Sequence, residues 1–284
     1  MSFTLTELKS TIQDYSENTE TTFVNNLREF IRAAENRIFK SVDFEVFRKN
    51  VTSATTSSDR FLSVPDDYLA SFSLSLTNSS NIEFLLEKDV NFIQEYNPNS
   101  STTGVPKYYA RFDVTNFILA PTPNSNYSVE LHYYYRPTSL ADSTIELTVA
   151  SSSSLAVNEV ITGSSSGATA TIKSKNDTTN KLTIIVPTTA FTSGETVTGG
   201  TTGASSAISA ISSDTTTTWL STNARSALLY GALYESYIFM KGEPDILTLY
   251  EKRFTEELMR LKDLGEAREN ADAYRQGLPR RART

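Results

Sequence analysis

Apolar residues in the first forty positions recur at helical spacing. Thr4 with Glu7 three residues on forms a capping-box pair, and a short helix is predicted over residues 5–15. Phe23, Leu27, Phe30, Ile31, Ala34 and Ile38 then draw one stripe along a longer second helix. Its other face carries Arg28, Glu29, Arg32, Glu35 and Arg37. Arg28 and Arg32 form a like-charge pair, while Glu29 beside Arg32 is a favourable one. Such a face is either solvated or a lateral contact with a neighbouring subunit. On the second reading Arg28, Arg32 and Glu35 are interface candidates.

From about residue 44 the period shortens to two. Residues 60–64 run into Pro65-Asp66-Asp67-Tyr68, a turn by its Pro-Asp chemistry. Phe72, Leu74 and Leu76 alternate with Ser71, Ser73 and Ser75, the pattern of a half-buried strand. Residues 83–96 mix apolar and acidic positions, as a strand running into a short helix would, and Asn97-Pro98-Asn99 ends them. Strands follow over 108–112, 117–120 and 127–136; in the last, Val129, Leu131, Tyr133 and Tyr135 share one face. The whole segment is expected to form an antiparallel β meander. Rows such as Tyr133-Tyr134-Tyr135 can stack on sugars or bases, but more often serve as sheet core and subunit contact, so Tyr133 and Tyr135 join the interface candidates.

The C-terminal part is helical again. Ser221 or Thr222 is expected to cap a helix containing Ala224, Leu228, Leu229, Ala232 and Leu233; Gly242 is expected to end it, and Pro244 to enter the first turn of the next. Ile246, Leu247, Tyr250, Phe254, Leu258 and Leu261 form that last stripe, which Gly265 is expected to end or loosen. The final ten residues carry Arg275, Arg280, Arg281 and Arg283 and no acid.

Composition changes this picture between residues 141 and 218. Of those 78 residues 34 are Ser or Thr, and Phe191 is their one aromatic, although the chain has 30. The chain is thus an aromatic-rich host with a Ser/Thr-rich guest. Within the guest a 36-residue repeat is visible: Leu155 matches Phe191, Glu159 matches Glu195, Ile161-Thr162-Gly163 matches Val197-Thr198-Gly199, Gly167-Ala168 matches Gly203-Ala204, and Ile172 matches Ile208. Each unit reads as strand, Gly/Ser turn, strand, which suggests a small, barrel-like all-β module with a light aliphatic core. The run from Gly199 to Gly203 lacks the Gly-Lys-Ser/Thr ending of a phosphate loop and is explained by the repeat.

Little in the sequence points to chemistry. There is no Cys, which excludes disulfides and thiolate metal sites, and His132 is the one histidine, which argues against a zinc site or a Ser/His triad. No cofactor is expected. Asp66-Asp67 fits a turn role better than paired acid/base carboxylates. A net charge of −7 argues against a dedicated DNA-binding surface. No apolar run is long enough to cross a membrane, and no signal peptide is visible.

With the guest removed, Tyr133-Tyr134-Tyr135-Arg136-Pro137-Thr138-Ser139-Leu140 runs almost directly into Thr218-Trp219-Leu220. Val64-Pro65-Asp66-Asp67-Tyr68, Gly104-Val105-Pro106-Lys107-Tyr108-Tyr109-Ala110, Ile118-Leu119-Ala120-Pro121-Thr122-Pro123, Ala227-Leu228-Leu229-Tyr230-Gly231-Ala232-Leu233 and Tyr250-Glu251-Lys252-Arg253-Phe254 complete an ordered set. In these residues the host resembles the head-to-tail adaptor proteins of tailed bacteriophages, of the tail tubular protein A type. The resemblance implies a structural virion protein of the neck: a ring, usually a dodecamer, docked under the portal protein, extending the DNA channel and presenting a platform for the tail nozzle or next tail protein. Double-stranded DNA would pass through the lumen without specific binding. The implied fold class is α+β, with N- and C-terminal helices in a bundle, a central antiparallel β region, and an inserted small all-β domain. The corresponding domains are a host of 1–140 plus 218–265, an insert of 141–217, and an extended tail of 266–284. Adaptors of this type commonly reach the portal with a C-terminal segment, which here would assign docking to Tyr274, Arg275, Leu278, Arg280, Arg281 and Arg283, the arginines meeting an acidic rim. The competing reading is a carbohydrate-binding virion or tail-fibre protein with the guest as binding module. A virion hydrolase is a weaker third reading.

Overall fold

The computed structural model describes residues 2–42 and 45–275. Helix α1 spans Leu5–Ser16 and opens on the expected capping box: the Glu7 amide donates to Thr4 Oγ1 at 3.2 Å, and the Thr4 amide donates back to the Glu7 carboxylate at 3.0 Å. Helix α2 spans Thr21–Ser41 and buries Phe23, Leu27, Phe30, Ile31, Ala34 and Ile38, the stripe read from the sequence.

Contacts group the chain into two compact units, Met1–Asp43 with Thr138–Thr284, and Phe44–Pro137. This division does not follow the compositional one, because the Ser/Thr-rich segment falls with the helices. In the second unit the strands are β1 (Arg48–Ala54), β2 (Phe61–Ser63), β3 (Tyr68–Asn78) and β4 (Asn81–Glu87). Helix α3 (Val90–Tyr96) follows, then β5 (Thr103–Gly104), β6 (Tyr108–Arg111), β7 (Asn116–Ala120), β8 (Thr122–Pro123) and β9 (Ser128–Tyr135). Seven of these strands form a sheet in the order β1-β9-β3-β4-β6-β7-β2. The expected meander is therefore corrected in two ways. The last strand, β9, inserts between β1 and β3, and β4 pairs with β6 in parallel. A parallel neighbour requires a crossover, and α3 lies in it. One sheet face buries Leu74, Leu85, Tyr109, Phe117, Leu131 and Tyr133. On the other, Ala110, Ile118 and Ala120 pack with Ile93 of α3, so residues 117–120 are buried on both faces and do not alternate.

Phe72 also departs from the alternation read in β3. The register shifts between Ser71 and Ser73, and the Phe72 side chain lies exposed while Leu74 and Leu76 stay buried. A bulge re-aims side chains in this way.

The Ser/Thr-rich segment folds as a closed six-stranded barrel, β10 (Thr144–Val149), β11 (Val160–Gly163), β12 (Thr169–Asn176), β13 (Lys181–Ile185), β14 (Thr196–Gly199) and β15 (Ser205–Ile211), ordered β10-β13-β12-β11-β14-β15. Its core is aliphatic apart from Phe191. The repeat is a pseudo-twofold. At its centre Thr162 pairs with Thr198, flanked by Ile161 with Gly199 and Gly163 with Val197. The first strands of the two halves also pair, Leu147 facing Leu182, but Leu147/Leu182 and Val149/Ile184 lie 35 residues apart and so escape a 36-residue comparison.

The halves are locked by exchanged carboxylates. Glu195 accepts from the amides of Ser165 and Ser166, both at 3.0 Å, in the turn of the first repeat. Glu159 accepts from Thr201 at 3.3 Å and Thr202 at 3.1 Å in the turn of the second. Each also caps its own loop, from Thr192 at 2.6 Å and Ala156 at 2.5 Å. The glycines at 163 and 199 are required by this arrangement: a Cβ at Gly163 would stand 2.6 Å from the Glu195 carboxylate, and one at Gly199 2.5 Å from that of Glu159. Gly167 and Gly203 close the two turns at φ of +64° and +68°.

Helix α4 (Trp219–Asn223) is capped by Thr218, with Ser221 as the reciprocal partner, so the cap lies earlier than expected. The backbone departs from helix at Ala224, and α5 (Arg225–Met240) starts without a side-chain cap. Helix α6 (Pro244–Arg275) runs through Gly265. A lone glycine costs a helix about 1 kcal/mol, too little to stop it. The helical core combines Leu5, Leu8 and Ile12 of α1 and Phe23, Leu27 and Ile31 of α2 with Leu228, Ala232 and Leu233 of α5. Leu140, Ala141 and barrel residue Val186 complete it.

Burial works to raise the Glu195 carboxyl, but its hydrogen bonds from Ser166, Thr192 and Ser165 outweigh it and hold the group down at about 2. Its stabilising effect is present above the ordinary carboxylate value of 4.5 and is lost as pH falls toward 2. Glu195→Gln is expected to cost about 1–3 kcal/mol. By hydrogen-exchange mass spectrometry it should speed exchange in the turn at 164–167, whereas Glu159→Gln should speed the turn at 200–203. Each substitution loosening only its own loop would overturn the exchange.

Candidate assembly surfaces

The α2 residues marked by the sequence, Arg28, Arg32 and Glu35, are largely engaged within the chain. Arg32 bridges Glu29 on its own helix and Asp142, the latter at 2.8 Å. Asp142 sits in the 3-10 turn Leu140–Asp142 that leads into the barrel. Glu35 is 2% exposed and accepts from Ser139 Oγ and, at 2.9 Å, from the Leu140 amide. Burial pushes the Glu35 carboxyl above the usual range, partly offset by those two donors. Arg28 is half-buried, and its Nε and Nη2 have no hydrogen-bond partner among the described residues. Burial depresses its guanidinium, Asp142 works against that, and Arg32 adds to it.

Tyr133 lies in the sheet core, stacked on Tyr68 at 5.8 Å, and its hydroxyl donates to Asp67 at 2.7 Å. Asp67 also takes the Lys49 ammonium at 2.8 Å, so the turn aspartate read from the sequence ties β1 to β9. Burial works to raise Asp67, but the bonds from Lys49 and Tyr133 prevail and hold it below the carboxylate range. Tyr135 is half-exposed, edge-on to Phe47, with the Lys49 ammonium over its ring. His132 lies edge-on to the exposed Phe72 ring, over which Arg48 also sits at 4.6 Å. Tyr274 and Arg275 fall at the end of α6, and Leu278, Arg280, Arg281 and Arg283 lie outside the described residues.

The outward side of the sheet carries an apolar strip that none of the sequence candidates includes. Ile82, Phe84 and Leu86 of β4 are 61, 69 and 58% exposed. They occupy alternate positions, with buried Leu85 pointing the other way. The signal was present as apolar residues on both faces of one short strand, where a one-sided sheet would place polar ones outward. Single exposed apolar residues are common, whereas these three form a contiguous row. No group of His, Cys, Asp and Glu that could hold a metal occurs among the described residues, and none of their helices is long and apolar enough to cross a membrane.

The family model described as SU10 adaptor protein matches residues 3–161, from the α1 cap to the second barrel strand. No curated protein matches the chain.

Glu35→Ala leaves the buried Leu140 amide without an acceptor and is expected to lower stability by about 1–3 kcal/mol. A double-mutant cycle with Ser139→Ala in chemical denaturation should show coupling between the two; additive losses would show that Glu35 does not hold this turn.

Proposed function

The chain belongs to the SU10 adaptor protein family, and on that premise we propose that it forms a ring in the neck of a tailed phage, between portal and tail. Membership makes it a phage structural protein rather than a catalyst, associated with other head and tail proteins in the virion neck. The finer reading is that twelve-fold copies dock under the portal, extend the DNA channel, and carry the nozzle or next tail protein. The family match carries this reading. In support of it, α1, α2 and α6 all pack against α5 within one unit. The exposed β4 row supplies apolar surface for a partner. Nothing favours the carbohydrate-binding alternative, since the barrel's one aromatic, Phe191, is buried.

The compositional reading of residues 141–217 as a module inserted into a β-to-helix connection remains part of the proposal. So does the assignment of portal docking to Tyr274, Arg275, Leu278, Arg280, Arg281 and Arg283, whose cations suit an acidic rim. On the same reading Arg28, Arg32 and Tyr135 lie near lateral contacts between copies, whereas the buried Glu35 and Tyr133 would act there only by holding the elements that carry them.

Mass photometry and negative-stain microscopy of the purified chain with portal protein test the ring; a persistent monomer indifferent to portal would refute it. Truncation after Gly265 should abolish portal binding with the circular dichroism spectrum retaining its β signal. Unchanged binding would remove the docking role from the tail. Joining Leu140 to Thr218 in place of the barrel should leave assembly intact. Because Ala141 and Val186 are then lost from the helical core, and Arg32 loses Asp142, the melting temperature should fall. Loss of rings in a folded deletion variant would make the barrel part of the machine.

A further inference from the structure

Lys9 occupies an unusual place. Leu5, Leu8, Lys9 and Ile12 fall at i, i+3, i+4 and i+7, so the lysine stands on the buried stripe of α1. It is 7% exposed. Among the described residues no hydrogen bond or ion pair holds its ammonium. Its side chain lines a cleft of about 320 Å³ between α1 and the barrel, walled by Val24, Ile145, Val186, Pro187, Phe191 and Ile211.

The charges around it do not neutralise it. Asp214 is on the same cleft, but it takes the Thr6 amide and hydroxyl, both at 3.0 Å, and the Thr216 amide at 3.3 Å. Arg28 is close enough to Lys9 to repel it and is itself unpartnered at Nε and Nη2. Glu29 and Asp142 are bound to Arg32. Burial and then Arg28 depress the Lys9 ammonium to about 8, with Asp214 acting in the opposite direction. A largely desolvated cation on a cleft costs stability that an entering anion would offset.

We propose that this cleft receives a carboxylate side chain carried on an extended peptide segment of a partner, Lys9 binding the carboxylate and the apolar wall taking a neighbouring aliphatic side chain. A carboxylate alone would leave most of the volume empty, and the apolar wall fits a peptide better than a hydrated ion. Asp214 lines the same cleft and would repel a phosphate dianion more strongly than a carboxylate monoanion. The inference rests on the cleft and not on the adaptor reading, and it survives if the ring does not form.

The test is acylation of Lys9 in the full chain, followed by peptide mass mapping, at constant ionic strength. N-acetyl-Leu-Glu-Leu-amide at about four times its Kd should slow Lys9 acylation about fivefold, with other lysines unchanged. The Leu-Gln-Leu counterpart should not. Lys9→Met should remove peptide binding measured by calorimetry while raising the melting temperature. Equal protection by both peptides, by butyrate alone, or by inorganic phosphate would each overturn the proposal, as would no protection at all. Because acylation is read on the natural sequence, the answer does not depend on the variant folding.

Discussion

The burial of Leu140 and Ala141 among the helices is the constraint on which the first unit depends. These residues come immediately after the β region, yet they share a core with Leu5, Leu27, Ile31 and Leu228. Their turn is pinned twice from α2, by Glu35 at Ser139 and Leu140 and by Arg32 at Asp142. Three parts of the chain remote in sequence are thereby brought to one place, and the barrel starts from a fixed end, with β10 beginning at Thr144. Burying a carboxylate such as Glu35 is costly unless its donors are in place, so this turn has one satisfactory geometry.

The barrel solves a different problem. A module this rich in Ser and Thr has few apolar residues to bury, and its core is aliphatic apart from Phe191. Polar interlocks compensate, each repeat supplying the acid that closes the other's turn. Neither half could satisfy its turn amides alone, because Glu159 serves residues 201 and 202 while Glu195 serves 165 and 166. The glycines at 163 and 199 leave the room that the carboxylates fill.

Local features were legible in the sequence and distant pairings were not. The Thr4 cap and the α2 stripe depend on residues within a turn or two, and both appear as read. The parallel β4–β6 pair could not be seen in alternation, because period two is the same for either strand direction. Phe72 was misassigned because a bulge leaves no mark in spacing. The repeat was visible at 36 residues, but its first strands, offset by 35, were hidden. Glu35 follows Ile31 by four and Lys9 follows Leu5 by four, so both sit on apolar stripes; a charge in such a position is the sequence signal for a buried polar role. Most of the tail candidates fall beyond the described residues.

The pairing of α2 with α5 carries a consequence for synthesis. The apolar faces of α1 and α2 are made long before α5, which begins at Arg225. The whole β region and the entire barrel must be made before those faces can be covered. Contacts so distant in sequence close slowly, and uncovered apolar stripes invite association meanwhile. Until then α1 and α2 are the vulnerable part of the nascent chain, and α5 is the cover that ends their exposure.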